Sequence, residues 1–258
     1  EAADDFALLY EPYSSFSKIS SIEGTLYDAY GNKIKSLKPK DVVDRSSVSD
    51  FSIDEDSRVK THHFYYRSYP YTVEYEVVRK SKSSYMLPAL MPAPTYYISV
   101  EKSSISLTLP ATYNLRYKAV NCSNQPVVVQ QGATKKLTCS LNGIKALARE
   151  PWSPRISAIT PYLLFAPTEF AMGDYKGNMA NWTEFGKFSA ALNKDRDRLP
   201  ETFIQKAVEV TSGLLTAHEK VEALYHYLQK NTRYISIQRG IGGLQPLPAE
   251  YVATKGYG

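Results

Sequence analysis

Residues 72–78, "TVEYEVV", decide the character of the N-terminal part of the chain. Val73, Tyr75 and Val77 alternate with mostly polar neighbours, so an extended segment would have one apolar face and one largely polar face. Pro70 cannot occupy the interior of a central strand, and it therefore marks an edge, a bulge or the start of a strand. The pattern predicts a half-buried β-strand.

Similar short runs, separated by turn residues, continue from the N-terminus to about Pro167. Residues 29–32, "AYGN", separate two of them, and the Gly-Asn pair can supply the positive φ that a hairpin needs. Residues 86–97, "MLPALMPAPTYY", hold three prolines within seven residues and predict a rigid crossing rather than a helix. Several short strands with frequent turn signals predict an antiparallel β-sandwich.

Helical periodicity follows a proline-marked connector. The connector contains Pro151, Pro154, Pro161 and Pro167. Beyond it, one apolar stripe consists of Trp182, Phe185, Phe188 and Leu192, and the next consists of Phe203, Ile204, Ala207 and Val208. We therefore predict an α+β protein with a β-sandwich domain over residues 1–175 and a mainly helical segment over residues 176–258.

The strongest local signature is a capping box at Thr216–Glu219, "TAHE". The threonine hydroxyl and the glutamate carboxylate of such a box satisfy free backbone amides at a helix start. The apolar spacing that follows is helical and is formed by Val221, Leu224, Tyr225 and Leu228. Residues 233–238, "RYISIQ", predict a strand, and Pro248 opens a last short helix.

Composition narrows the possible partners. The net charge is +5, but the charged blocks carry both signs and no basic cluster is present, so nucleic-acid binding is not expected. No apolar run approaches the roughly 18 residues that predict a transmembrane helix. Tyrosine accounts for 21 of the 258 residues, which favours aromatic sheet faces, with aromatic platforms for glycan or peptide as the alternative.

Cysteine and histidine give no metal site and no disulfide framework. The chain has two cysteines, Cys122 and Cys139, which we expect to be free because the intervening hairpin separates them. The four histidines fall into two pairs, His62 with His63 and His218 with His226. Adjacent strand residues point to opposite faces, and the second pair lacks a third ligand. We predict no metal and no cofactor.

Residues 199–258 resemble the start of a bacterial transglutaminase-like domain, whose core is papain-like. The similarity lies in the order of a helix, the capped helix, the "RYISI" strand, a glycine-rich turn, the "PLPAE" helix start and a terminal "YG". The preceding region resembles the β-sandwich domain of unknown function that often comes before such domains in bacterial envelope proteins. That likeness rests on "YDAYGNKIKSL", "YPYTVEYEV" and the "NWTEFGKF…RDRLP" junction.

The resemblance implies a cysteine nucleophile that these 258 residues do not contain. In the family, Asp-Cys typically comes directly after the "YG", whereas Cys122 and Cys139 lie far upstream and both helical histidines precede that point. We therefore assign no catalytic residue. Because papain-like enzymes bind the oxyanion with an upstream side chain, the resemblance makes Tyr234, Gln238 and Gln245 cleft candidates. The alternative is that Tyr234 packs in the core and both glutamines are surface residues.

Two functions follow as expectations. The first is the non-catalytic N-terminal portion of a bacterial transglutaminase-like cysteine protease, amidase or acyltransferase, located in the periplasm or cell envelope and acting on a protein, peptide or glycan. The second is a scaffold module of the cell envelope that binds glycan, peptide or protein. Whether the parent protein is an enzyme depends on the residues encoded after Gly258, and this chain alone is expected to be inactive.

Overall fold

The computed structural model describes residues 7–47, 52–238, 241 and 243–258, and it confirms the α+β fold class. The strands are β1 (Leu8–Tyr13), β2 (Ser17–Tyr27), β3 (Lys33–Ser36), β4 (Val43–Ser46), β5 (Ser52–Glu55), β6 (Arg58–His63), β7 (Thr72–Ser81), β8 (Val100–Pro110), β9 (Leu115–Val120), β10 (Val127–Gln131), β11 (Thr134–Ile144), β12 (Tyr162–Pro167), β13 (Glu169–Met172), β14 (Tyr175–Asn178) and β15 (Ser236–Gln238). The helices are α1 (Trp182–Asn193), α2 (Glu201–Thr211), α3 (Ala217–Asn231) and α4 (Ala249–Lys255).

The chain divides into two compact units. The first unit combines the chain up to Lys82 with Ser189–Gly258, and the second unit runs from Ser83 to Phe188. The N-terminal strands therefore share a unit with α2, α3 and α4. The predicted boundary between residues 175 and 176 rests on sequence patterning alone and stays a prediction.

The sheets of the first unit are small. β2 pairs antiparallel with β3 and β7, β6 pairs antiparallel with β1 and β4, and the β15 backbone runs parallel to β5. The strand predicted over residues 72–78 is part of β7, where Val73, Tyr75 and Val77 are half-buried and alternate with exposed residues. The apolar side chains buried in this unit include Leu9, Ile19, Leu26, Val59 and Phe64.

The predicted hairpin at residues 29–32 is confirmed between β2 and β3. Gly31 has a φ of +82°, a conformation that glycine adopts without strain. The Asp28 carboxylate accepts hydrogen bonds from the backbone amides of Tyr30 and Asn32, both at 2.8 Å. These two hydrogen bonds stabilise the turn and thereby fix the register of β2 against β3.

A buried polar cluster ties β6 to β7. His62 is 6% exposed, and its Nδ1 lies 2.8 Å from the hydroxyl of Tyr75, which donates to the carbonyl of Ala7 at 3.0 Å. Because the Tyr75 proton is used in that bond, His62 Nδ1 carries the hydrogen that it donates to Tyr75. Burial lowers the pKa of His62 and raises the pKa of Tyr75 to about 12. Both groups are therefore neutral at pH 7.

The second unit has its core between two sheets. β11 pairs antiparallel with β10 and β8, β12 pairs antiparallel with β9, and β13 pairs antiparallel with β14. Inward residues on β11 alternate with outward ones, as the pleat requires. The core cluster consists of Leu90, Leu137, Cys139, Leu141, Leu163 and Phe165.

Aromatic side chains join the β13–β14 hairpin to α1. The Phe170 ring lies 4.8 Å from the Phe188 ring and 5.0 Å from the Tyr85 ring, centroid to centroid and edge to face. Opposite Phe170 on β14 stands Gly177, where a Cβ atom would lie 2.2 Å from the Phe170 Cζ. The glycine is therefore required because the phenyl ring occupies the space of a side chain. Of the stripe predicted for α1, Phe188 and Leu192 are buried, but Trp182 is 87% exposed.

Candidate functional site

The region that resembles a transglutaminase-like domain begins with two helices of the first unit. α2 and α3 contact each other, and α4 lines the same groove as these two helices. The sequence predicted apolar stripes on both long helices, yet neither helix contains a buried residue. Ile204 is 45% exposed and Val208 is 65% exposed on α2, while Val221 is 66% exposed on α3. The stripes therefore lie largely open to solvent.

Part of each stripe lines an apolar groove of about 800 Å³, with Phe203 and Ala207 of α2 on one side and Val221, Leu224 and Leu228 of α3 on the other. Its lining comes from α2, α3, α4 and the segment before α4, and it includes Phe203, Val221, Leu224, Leu228, Leu247 and Val252. An exposed apolar surface of this kind marks a contact with another polypeptide segment or a ligand. Helical periodicity could identify the residues of the stripes but not whether a neighbour covers them.

The predicted capping box is confirmed at the start of α3. Thr216 Oγ1 accepts a hydrogen bond from the Glu219 amide at 3.2 Å, and Glu219 Oε2 accepts one from the Thr216 amide at 2.9 Å. The bond from the Thr216 amide, together with the one from its hydroxyl, lowers the pKa of Glu219. The box fixes the start of the helix at Ala217.

The last residues of the chain are held by main-chain hydrogen bonds. The Arg233 amide donates to Gly256 O at 2.8 Å, the Gly258 amide donates to Arg233 O at 3.0 Å, and the Ile235 amide donates to Gly258 O at 2.9 Å. Together they form a parallel ladder, centred on an Arg233–Tyr257 bridge, that closes α4 onto the segment before β15. Gly256 has a φ of +73° and ends α4 in the left-handed conformation.

The three cleft candidates have different surroundings. Tyr234 is 88% exposed, so it does not pack in the core, and it lies within the ladder between Arg233 and Ile235. The half-buried Gln245 donates from Nε2 to the Leu192 carbonyl at 2.8 Å, which holds the loop before α4 to the end of α1. Gln238 is the last residue of β15, opposite Glu55 of β5, and its side chain lies outside the described residues.

The cysteines and helical histidines lack the surroundings of a thiolate centre. Cys122 and Cys139 are free, as the sequence predicted. Cys139 is 4% exposed, and burial raises the pKa of its thiol, which disfavours the reactive thiolate. Cys122 Sγ lies 3.8 Å from the Tyr162 carbonyl oxygen. His226 is exposed on α3 with its Nε2 3.7 Å from a Glu222 carboxylate oxygen, and His218 lies on the exposed first turn of the same helix.

Two further features bear on ligands and membranes. Within the part of the chain that the structure describes, no group of three His, Cys, Asp or Glu side chains is arranged to hold a metal ion. The helices within that same part are all too short or too polar to cross a bilayer.

Comparison with protein families identifies the class of the β-rich part. Residues 1–148 match DUF3857, a family described as a domain of unknown function with a solved structure. The match covers more than half of the chain, and the chain therefore belongs to the DUF3857 family. No curated protein matches the chain.

The fold as a whole is similar to one solved structure. That structure is from Parabacteroides distasonis ATCC 8503 and is described as a "putative protease". The TM-score is 0.64 at 17% sequence identity, and the similarity covers 99% of this chain and 49% of that one. The present chain therefore spans about half the length of its structural neighbour. At this level of identity the comparison shows a common fold.

Proposed function

We propose that this chain is the N-terminal, non-catalytic portion of a bacterial transglutaminase-like cysteine protease, amidase or acyltransferase. The observation that carries the proposal is the order of elements in residues 201–258, where α2, the capped α3, β15 and α4 are closed by the Arg233–Gly258 ladder. The fold shared with a protein described as a "putative protease" supports it, as does that protein's greater length.

The environment of Cys139 agrees with a chain that does not itself supply the nucleophile. A cysteine nucleophile reacts as the thiolate, which a helix N-terminus or a nearby cation stabilises. Cys139 has the opposite environment, because its burial raises its pKa. We propose that the nucleophile is the cysteine of an Asp-Cys pair that follows Gly258, at the start of a further helix, as the family resemblance implies. The ladder would then place it beside the exposed ring of Tyr234.

Within this proposal, Tyr234 is the foremost candidate for an oxyanion donor. Its hydroxyl is on a side chain that is 88% exposed and lies next to the ladder that holds Gly258. Gln245 is less suited, because its Nε2 already donates to the Leu192 carbonyl. Gln238, the last residue of β15, also remains a candidate for the oxyanion donor. We also propose that the protein acts in the periplasm or cell envelope on a protein, peptide or glycan, which rests on the family resemblance.

Amide turnover by two forms of the protein tests the proposal. The 258-residue chain and the full-length natural protein are assayed side by side against a panel of amide substrates. We expect no turnover from the shorter form and measurable turnover from the longer one. In the longer form Tyr234→Phe should lower kcat by about 100-fold, as the loss of an oxyanion donor does. Tyr30→Phe, at a tyrosine of the β2–β3 turn that is 90% exposed, is the matched control and should leave kcat unchanged.

Two outcomes would contradict the proposal. Turnover by the 258-residue chain would show that its own residues suffice for catalysis. An inactive full-length protein with a correctly folded far-UV spectrum would favour the alternative, in which the chain is a binding scaffold of the cell envelope. Equal activity of the Tyr234→Phe and Tyr30→Phe variants would remove Tyr234 from the oxyanion site without affecting the remainder of the proposal.

A further inference from the structure

A second candidate site lies within the second unit, and it shares no residue with the ladder or with the three cleft candidates. It is a pocket of about 530 Å³ between β9 and the first turn of α1, within the range of small-ligand pockets, about 300–1,000 Å³. The side chains that matter for its chemistry are Tyr85, Arg116, Asn181, Trp182 and Phe185. Nothing in the proposed enzyme function uses these residues.

The aromatic side of the pocket is open. Trp182 is 87% exposed, although it stands on the same helix as the buried Phe188. Its ring lies 6.3 Å from that of Phe185 in an edge-to-face arrangement, which leaves the indole face uncovered. A large aromatic ring that stays exposed lacks the stabilisation that burial of its area would give. Such exposed rings are typical of binding surfaces.

The polar side of the pocket carries positive charge. Arg116 points away from the core side of β9 and has no ion-pair or hydrogen-bond partner within the described residues. The nearest acid of α1, Glu184, is already paired with Lys187 at 2.6 Å. Asn181 uses its Oδ1 to accept the Glu184 amide at 2.9 Å, so its Nδ2 remains a donor. Arg116 and the Nδ2 of Asn181 therefore both offer hydrogen-bond donors to the pocket.

We propose that this pocket binds a peptide through a carboxylate and the apolar side chain next to it. The carboxylate would accept the planar fork of Arg116 and the Nδ2 of Asn181, since arginine matches carboxylate geometry with two parallel bonds. The apolar side chain would lie against Trp182 and Phe185. An oligosaccharide fits less well, because many hydroxyl groups would face a predominantly apolar wall with few acceptors for them.

Tryptophan fluorescence can measure this binding directly. The chain has two tryptophans, so Trp152→Phe leaves Trp182 as the sole reporter. The full chain is titrated with the acid Ac-Ala-Ala-Phe-OH, with its C-terminal amide, and with Ac-Asp-Phe-NH₂. We expect the acid to shift the Trp182 emission and to bind about tenfold more tightly than the amide, as a charge-assisted hydrogen bond requires. Ac-Asp-Phe-NH₂ distinguishes a side-chain carboxylate from a chain terminus.

Variants test the role of the arginine. Arg116→Gln should reduce the affinity for the acid about tenfold and leave the affinity for the amide unchanged. Arg149→Gln, at an exposed arginine of the same unit outside the pocket, is the matched control and should bind like the wild type. Equal binding of acid and amide would overturn the proposal, as would an Arg116→Gln variant that binds like the control. Binding of an oligogalacturonate while all three peptides leave the emission unchanged would overturn it in favour of an anionic glycan.

Discussion

Replacement of Gly177 by alanine should destabilise the second unit by about 1 kcal/mol, the net of an overpacking cost and a smaller entropic gain. The new Cβ atom would stand 2.2 Å from Phe170 Cζ and within 2.8 Å of two further ring carbons, whereas ordinary contacts are 3.4–4 Å. Phe170 is 4% exposed and is held by Tyr85 and Phe188, so the ring cannot move aside freely. Such overpacking costs about 1–3 kcal/mol. The lower entropy of an unfolded chain with alanine recovers about 0.4–1 kcal/mol.

Urea denaturation followed by tryptophan fluorescence measures this change. Trp152 and Trp182 both lie in the second unit, so the signal reports that unit. A lower midpoint at an unchanged slope is the expected result. Gly186→Ala is the control: its Cβ would meet nothing within 4 Å in the interior of α1, and alanine should stabilise that helix by about 0.5–1 kcal/mol. A neutral Gly177→Ala variant would refute the packing of Phe170 on the glycine.

Three further predictions concern the cap, the buried histidine and the thiols. Thr216→Ala should cost about 1 kcal/mol in helix stability, measured by circular dichroism at 222 nm, whereas Thr216→Ser should retain the wild-type midpoint. Because burial, followed by the charge of Lys35, lowers the folded pKa of His62, the unfolded state binds the proton more readily, so stability should fall as the pH drops below about 6.5. His62→Gln should reduce the difference in the free energy of unfolding between pH 7.5 and pH 5.5, measured by urea denaturation. A variant with the pH dependence of the wild type would contradict this prediction. Thiol titration of the denatured, unreduced protein should find Cys122 and Cys139 both free, and a monomer without free thiols would disprove this.

Local sequence signals predicted local structure well in this protein. The Gly31 hairpin, the alternation of β7 and the Thr216 capping box all depend on residues within a few positions of each other. Each is observed where the sequence predicted it. A turn residue or a cap acts through its own backbone, so tertiary packing changes such elements little.

Strand pairing and burial that depend on residues far apart in the chain could not be predicted from the sequence in the same way. The parallel pairing of β15 with β5 joins residues that are far apart in sequence, and neither short segment indicates its partner. Helical spacing placed Trp182 in one stripe with Phe188, but the indole is 87% exposed, because the spacing does not show which positions a neighbouring element covers. For the cleft, sequence order selected Tyr234 and Gln245 equally. The hydrogen bond from Gln245 to the Leu192 carbonyl distinguishes them.

The measurement that most directly tests the proposed function is the location of the reactive thiol. The full-length natural protein carrying Cys122→Ser and Cys139→Ser is treated at pH 7 with a limiting amount of iodoacetamide, and the labelled residue is mapped by peptide mass spectrometry. We expect one rapidly labelled cysteine, the second residue after Gly258, with loss of amide turnover in proportion to labelling. Full turnover with no rapidly labelled cysteine, or loss of turnover from the two serine substitutions alone, would contradict it.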